Sequence, residues 1–171
     1  MTKTEIESAT AVLAGKALWQ CLRAADMATF QFGGRKSVAA FRGGTKEVGE
    51  YALHVQCAWR ITRQDRVIVG SRDLYYPADY EEGAEVPSGF AWDRDSNRRD
   101  RLLTSLFENG SREFLVQKVR VGVAGSLSIL LSDDLAVDIF PDDSLSGERW
   151  RLFEPGRTEQ HFVVTGKGIE A

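Results

Sequence analysis

From Gly49 to Asp73 the chain alternates apolar and polar positions with a period of two. Tyr51, Leu53, Val55, Cys57, Trp59 and Ile61 are apolar, and the residues between them (Ala52, His54, Gln56, Ala58 and Arg60) are small or polar. Successive side chains of a strand point to opposite faces, so this spacing predicts one long β-strand with its odd positions against a core. Burial of a large apolar side chain is worth roughly 1.5–3 kcal/mol before entropy, which sends the odd face inward. His54, Gln56 and Arg60 are then expected on the opposite face. The connection Thr62-Arg63-Gln64-Asp65-Arg66 has no apolar residue and leads into the β-branched run Val67-Ile68-Val69, so the stretch reads as a hairpin.

The same reading extends along the chain. Ile6, Ala9 and Leu13 predict a short N-terminal helix after a loose residue 1–4 start. Leu18, Trp19, Cys21 and Leu22 fit a helix turn or a strand, with the strand preferred. Met27–Phe32 is a strand closed by Gly33-Gly34, and Val38–Phe41 a further short one. Asn97–Glu108 is the main helix, with Asp95 or Ser96 as its N-cap, Leu102, Leu103, Leu106 and Phe107 as its apolar stripe and Asn109-Gly110 as its stop. Phe114–Val123, the alternating segment Leu127/Ile129/Leu131 and the segment Leu135/Val137/Ile139 predict a three-stranded meander. Glu148–Phe153 and Gln160–Thr165 are extended, and 166–171 is expected to be loose. The fold expected is a single α+β domain over 1–171: a twisted, mostly antiparallel sheet with one main helix, about residues 96–108, packed on it.

One stretch lacks any period. Leu74 to Trp92 mixes Tyr75, Tyr76, Tyr80, Phe90 and Trp92 with acids and prolines. A connection of this length is often functional, and its aromatics seek a surface to pack on, so it is expected to rim a site. The run Asp93-Arg94-Asp95-Ser96-Asn97-Arg98-Arg99-Asp100-Arg101 interleaves its charges and reads as a solvated face.

Composition adds little. Hydrophobic residues make up 43% and charged residues 27%, with a net charge of -3, which is ordinary for a globular protein and argues against nucleic acid as the main ligand. The chain has two cysteines and two histidines. Cys21 and Cys57 read as reduced, buried thiols, and His54 and His161 are too few for a conventional zinc site. No metal or cofactor is expected. The N-terminus does not read as a signal peptide and no run approaches a membrane span, so a cytoplasmic protein without membrane contact is expected.

No catalytic signature is present: GxSxG, a phosphate-binding glycine loop, HExxH and an EF-hand spacing are all missing. The candidate binding residues are His54, Gln56, Arg60, Arg72, Asp73, Tyr75, Tyr76, Tyr80, Trp92 and His161. The segments His54–Arg60, Gly70–Tyr75 and Glu148–Phe153 resemble those of small bacterial proteins of unknown function, some similar to immunity proteins of contact-dependent toxin systems. That resemblance spans Leu13 to about Gly166 and implies a cytosolic protein that binds another protein. The expectation is therefore a non-enzymatic binding protein acting through the His54/Gln56/Arg60 face or the aromatic segment. The alternative is a small enzyme or small-molecule-binding domain with a His54/Arg60/Asp73 pocket, with His161 as a candidate fourth member. A monomer or a homodimer joined at a sheet edge fits either.

Overall fold

The computed structural model describes residues 2–158 and 161–170. Its strands are β1 (Ala17–Ala24), β2 (Met27–Phe32), β3 (Lys36–Ala39), β4 (Thr45–Val48), β5 (Tyr51–Val55), β6 (Ala58–Arg63), β7 (Arg66–Gly70), β8 (Phe114–Val121), β9 (Leu127–Leu131), β10 (Leu135–Phe140), β11 (Glu148–Phe153), β12 (Phe162–Thr165) and β13 (Gly168–Glu170). The helices are α1 (Lys3–Thr10) and α2 (Arg98–Phe107). Eleven strands form one antiparallel sheet in the order β13-β12-β11-β5-β2-β1-β8-β9-β10-β6-β7, and β3 pairs with β4 in a separate hairpin. The protein is thus an α+β domain, an antiparallel sheet with two helices packed on it.

The connection between β5 and β6 fixes the shape. These strands lie six positions apart in the sheet, which at about 4.8 Å per strand would separate them by about 29 Å if the sheet were flat. The chain crosses with only Gln56 and Cys57, a reach of about 11 Å at most between flanking Cα atoms. The sheet must therefore curl until its two halves face one another. The seam between the halves is short: β1 meets β8 through Ala17↔Leu115 and Leu18↔Phe114, and just before β1 the backbone of Val116 bonds to Gly15 and Lys16. Across the enclosed space the Phe30 ring of β2 meets Trp59 of β6 edge-on at 5.3 Å. Trp150 of β11 donates its Nε1–H to Gly125 O at 2.8 Å, beyond the end of β8.

The expected single strand over Tyr51–Ile61 is therefore two strands and a corner. Its parity nonetheless survives the corner. Leu53, Val55, Cys57, Trp59 and Ile61 are all buried, because both strands present the same face to the one core. The hairpin expected after it is β6–β7, with Gln64 in the left-handed conformation at its turn. The meander β8–β9–β10 forms as its alternation requires, with Leu127, Ile129, Leu131, Leu135, Val137 and Ile139 all inward.

The ends and caps depart from expectation in detail. Thr2 and Glu5 form a reciprocal capping box that orders the start of α1. The cap of α2 is Asn97, in place of Asp95 or Ser96, and its Oδ1 accepts from Asp100 N at 2.9 Å. Beyond Thr165 the chain turns back, and β13 pairs with β12 through Thr165↔Gly168 and Val164↔Ile169, so 168–170 is a strand where a loose tail was expected. Gln160 lies outside the described residues. The short strand expected at Val38–Phe41 is β3, and Phe41 lies beyond it in the turn.

The β3–β4 hairpin lies over the outer face of β2 and β5, so Thr29 and Gln31, which point away from the core, are buried as well. Gln31 Oε1 accepts from Gly49 N at 2.9 Å as the chain leaves β4. Only glycine fits at that crossing, since a Cβ on Gly49 would come within 2.5 Å of Phe32 O and 2.6 Å of Phe32 N. No helix among the described residues is long and apolar enough to cross a membrane.

Candidate functional site

Five connections meet at one end of the curled sheet: the β1–β2 turn, the β5–β6 corner, the 3₁₀ turn Ser71–Tyr75, the first turn of α2 and the segment after β10. They enclose a cleft of about 230 Å³ whose lining includes Asp26, Trp59, Arg72, Tyr75, Arg99 and Asp142. Its walls follow from short-range chemistry. Ser71 Oγ accepts from Trp59 N at 3.3 Å, which ties the 3₁₀ turn to the corner. Asp73 accepts from Gly70 N at 2.8 Å and pairs with Arg98 Nε at 3.3 Å, joining that turn to α2. Asp100, itself held by Asn97, accepts from Arg23 Nε at 2.7 Å and fastens α2 to β1.

Arg99 is the residue that these ties position. It is only 1% exposed, with Nη1 donating to Asp26 O at 2.9 Å and its guanidinium 5.8 Å from the centre of the Trp59 ring. Nε and Nη2 are buried and have no hydrogen-bond partner among the described residues. Burial, only partly offset by the nearby Cys21 and Asp100, holds its pKa below the ordinary arginine value. Arg99 falls in the charged run expected to be solvated, and that expectation fails for it. The helical period could have found it, since Arg99, Leu103 and Leu106 sit at i, i+4 and i+7 and share the buried stripe of α2.

Beside the cleft an aromatic pair is flanked by two arginines. The Arg72 guanidinium lies 6.0 Å from the Tyr75 ring centre, Tyr75 meets Trp92 edge-on at 6.3 Å, and Arg23 lies 6.0 Å from Trp92. Tyr76 packs on Tyr80 at 4.6 Å. The aromatic segment is thus fixed against the domain, helped by backbone bonds from Ala78 N to Ser96 O and from Arg98 N to Tyr76 O. Cys57 also lines the cleft, but burial, with the Asp142 carboxylate next, pushes its thiol up to about 12. Burial likewise raises the pKa of Cys21. Neither cysteine is a thiolate at neutral pH.

The other expected residues disperse. His54, on the outer face of β5, borders a separate groove of about 380 Å³ beneath the β3–β4 hairpin. Its Nδ1 lies 3.2 Å from Arg151 Nη2 and its ring meets Phe153 edge-on at 4.7 Å. Burial first, and then the Arg151 charge, lower its pKa to about 4. His161 stacks on the other side of Phe153 at 4.3 Å, so the two histidines do come together around one ring. Gln56, at the corner, borders the cleft while its Nε2 donates to Glu148 Oε1 at 2.9 Å. Arg60 pairs with Asp138 Oδ2 at 3.1 Å across β6 and β10 and covers the Phe140 ring.

His54, Gln56 and Arg60 therefore do not form one face, because the corner places them on different walls. His54, Arg60 and Asp73 do not gather in a pocket either, as each is engaged by its own neighbours. Among the described residues no cluster of three or more His, Cys, Asp or Glu side chains could hold a metal ion. Comparisons of the chain with protein-family models, with curated proteins and with solved structures find no match.

Proposed function

We propose that this protein is a non-enzymatic binding domain for a small molecule bearing an oxoanion, held in the cleft over Arg99. The observation that carries the reading is the pair of unpartnered nitrogens on a buried arginine. Leaving a buried donor without an acceptor costs about 1–3 kcal/mol, more when the group is charged, so such a donor calls for a partner that arrives from outside. Nε and Nη2 lie along one edge of the planar guanidinium and have almost no accessible surface in the unliganded protein, so a ligand engages them by displacing the side chains that cover them; the edge then offers two parallel N–H donors spaced for the two oxygens of one carboxylate or phosphate. Burial keeps Cys57 protonated and no histidine stands among the described lining residues, so the cleft offers no ready nucleophile, which favours binding over covalent catalysis.

A protein partner at the His54/Gln56/Arg60 face has less support, since Arg60 is paired and His54 is covered. The half-exposed Tyr75 lines the cleft and would flank a bound molecule. The Arg99 Nε–H, shielded from solvent, is the direct reporter. On titration with sodium formate or inorganic phosphate, its ¹H–¹⁵N resonance should shift saturably, while that of Arg60, already engaged by Asp138, should stay in place. Equal movement of both, or of neither, overturns the reading.

A further inference from the structure

The charge pattern around Arg99 narrows the ligand, on the premise that the cleft is the binding site just proposed. Four charged side chains, two of each sign, share its lining: Arg99 at the base, and Arg72, Asp26 and Asp142 exposed at the rim. Neither rim carboxylate has a side-chain hydrogen bond or an ion pair with another described residue. A phosphate ester would place a dianion beside those two carboxylates, which disfavours it. A simple carboxylate would satisfy the arginine edge and leave Arg72 as the one exposed cation of the lining beside two acids. A molecule carrying one carboxylate and one ammonium satisfies both ends.

Size points the same way. A cleft of about 230 Å³ falls below the roughly 300–1,000 Å³ typical of sites for drug-sized ligands, and suits a molecule of a few heavy atoms. Val55, Leu74 and Trp59 add an apolar patch to the lining, able to cover a short hydrocarbon chain.

We infer that the cleft selects a zwitterionic amino-carboxylate, a free amino acid or a close analogue, with its carboxylate on the Nε–Nη2 edge of Arg99 and its ammonium toward Asp26 and Asp142. The carboxylate supplies the acceptors that the buried edge lacks, and the exposed acids select for the amine. Because the acids are exposed, water screens them, and their contribution is the smaller of the two. Arg99 therefore governs affinity and the rim governs selectivity.

Matched probes separate these contributions. Calorimetric titrations of the full chain with L-alanine and L-leucine are compared with propionate and 4-methylpentanoate, which differ from them only by the ammonium, and with inorganic phosphate. One of the amino acids should bind about fivefold more tightly than its deaminated counterpart. Arg99→Lys, which keeps the charge but removes the two-nitrogen edge, should weaken that binding about thirtyfold or more. The Asp26→Asn/Asp142→Asn double variant, altered only at exposed side chains, should erase the preference for the amino acid and leave carboxylate binding intact. If carboxylates or phosphate bind as tightly as the amino acids and still depend on Arg99, the amino-carboxylate assignment falls while the anion site stands. If no probe binds in an Arg99-dependent way, both fall.

Discussion

The cleft over Arg99 and the groove beside His54 draw on the same strands, yet they treat their polar groups in opposite ways. β5 lends His54 to the groove and Val55 to the cleft, and the two sites lie on opposite faces of one sheet. In the groove Gln31 holds Gly49, His54 has Arg151 on one nitrogen and Phe153 against its ring, and Arg151 Nε, buried without a hydrogen bond, has the Glu148 carboxylate at 3.5 Å. In the cleft a fully buried cation has two nitrogens without a hydrogen-bond partner among the described residues. Neither polar burial nor a single open nitrogen marks a candidate site; a buried cation with two open nitrogens and no ion pair among the described residues is the sharper sign. The contrast also separates His54 and Arg60, both engaged by their neighbours, from Arg99.

That difference has its largest consequence in stability. A buried guanidinium that is only partly hydrogen-bonded costs the unliganded protein free energy, and an apolar side chain of similar length removes that cost. Arg99→Met should raise the stability of the unliganded domain by about 1–2 kcal/mol in urea denaturation, with m unchanged. Arg99 would be ordinary scaffold if the variant instead lost stability by a comparable amount, and the contrast between the two regions would then disappear.

Much of the fold is legible in the sequence because it is local. The period-two runs at Leu127–Leu131 and Leu135–Phe140 need only their own alternation to become β9 and β10, and the stripe Leu103, Leu106 and Phe107 needs only the helical repeat to define α2. The corner at Gln56-Cys57 is not legible in this way, since the inward parity of Val55, Cys57 and Trp59 is the same for one strand as for two strands that share a core. Only the long-range order of the sheet separates those readings. The same limit hides the site. Asp26, Trp59, Arg72, Arg99 and Asp142 are scattered over more than a hundred residues, and no local spacing announces that a curled sheet brings them together. Tyr75 was legible as a rim residue because a long aromatic segment without a period has few other roles, whereas Arg99 was masked by the charged neighbours Arg98, Asp100 and Arg101.

The groove has its own signature, which is pH. The folded pKa of His54 is lowered to about 4 from an ordinary 6.5, so between those values the unfolded chain takes up a proton that the folded ring refuses. Stability from this residue is then complete above about pH 6.5, falls as the pH drops toward 4, and levels off below that. For a half-buried ring partly screened by water the loss should be about 1 kcal/mol. Urea denaturation at neutral pH and near pH 4 should show wild type losing that much more than His54→Gln, whose side chain does not titrate. Parallel losses in the two proteins would mean that the ring is open to solvent and the groove no better satisfied than the cleft.

Arg60 supplies the smallest effect and the control for Arg99. Asp138 is held from both sides, by Arg60 Nε at 3.1 Å from β6 and by Ser128 Oγ at 2.7 Å from β9, while the Arg60 side chain remains 48% exposed. An ion pair so open to water gains little, because solvent already stabilises both charges and holding a long side chain in place costs entropy. A double-mutant cycle with Arg60→Met and Asp138→Asn should give a coupling of about 0.5 kcal/mol that shrinks as salt is added. A coupling several times larger and insensitive to salt would show that Arg60 is withdrawn from water and bound as tightly as a core group. The two arginines would then no longer differ in the property used to tell them apart, since the case for Arg99 rests on a satisfied arginine at the surface being energetically quiet and an unsatisfied one in the interior being costly until something binds it.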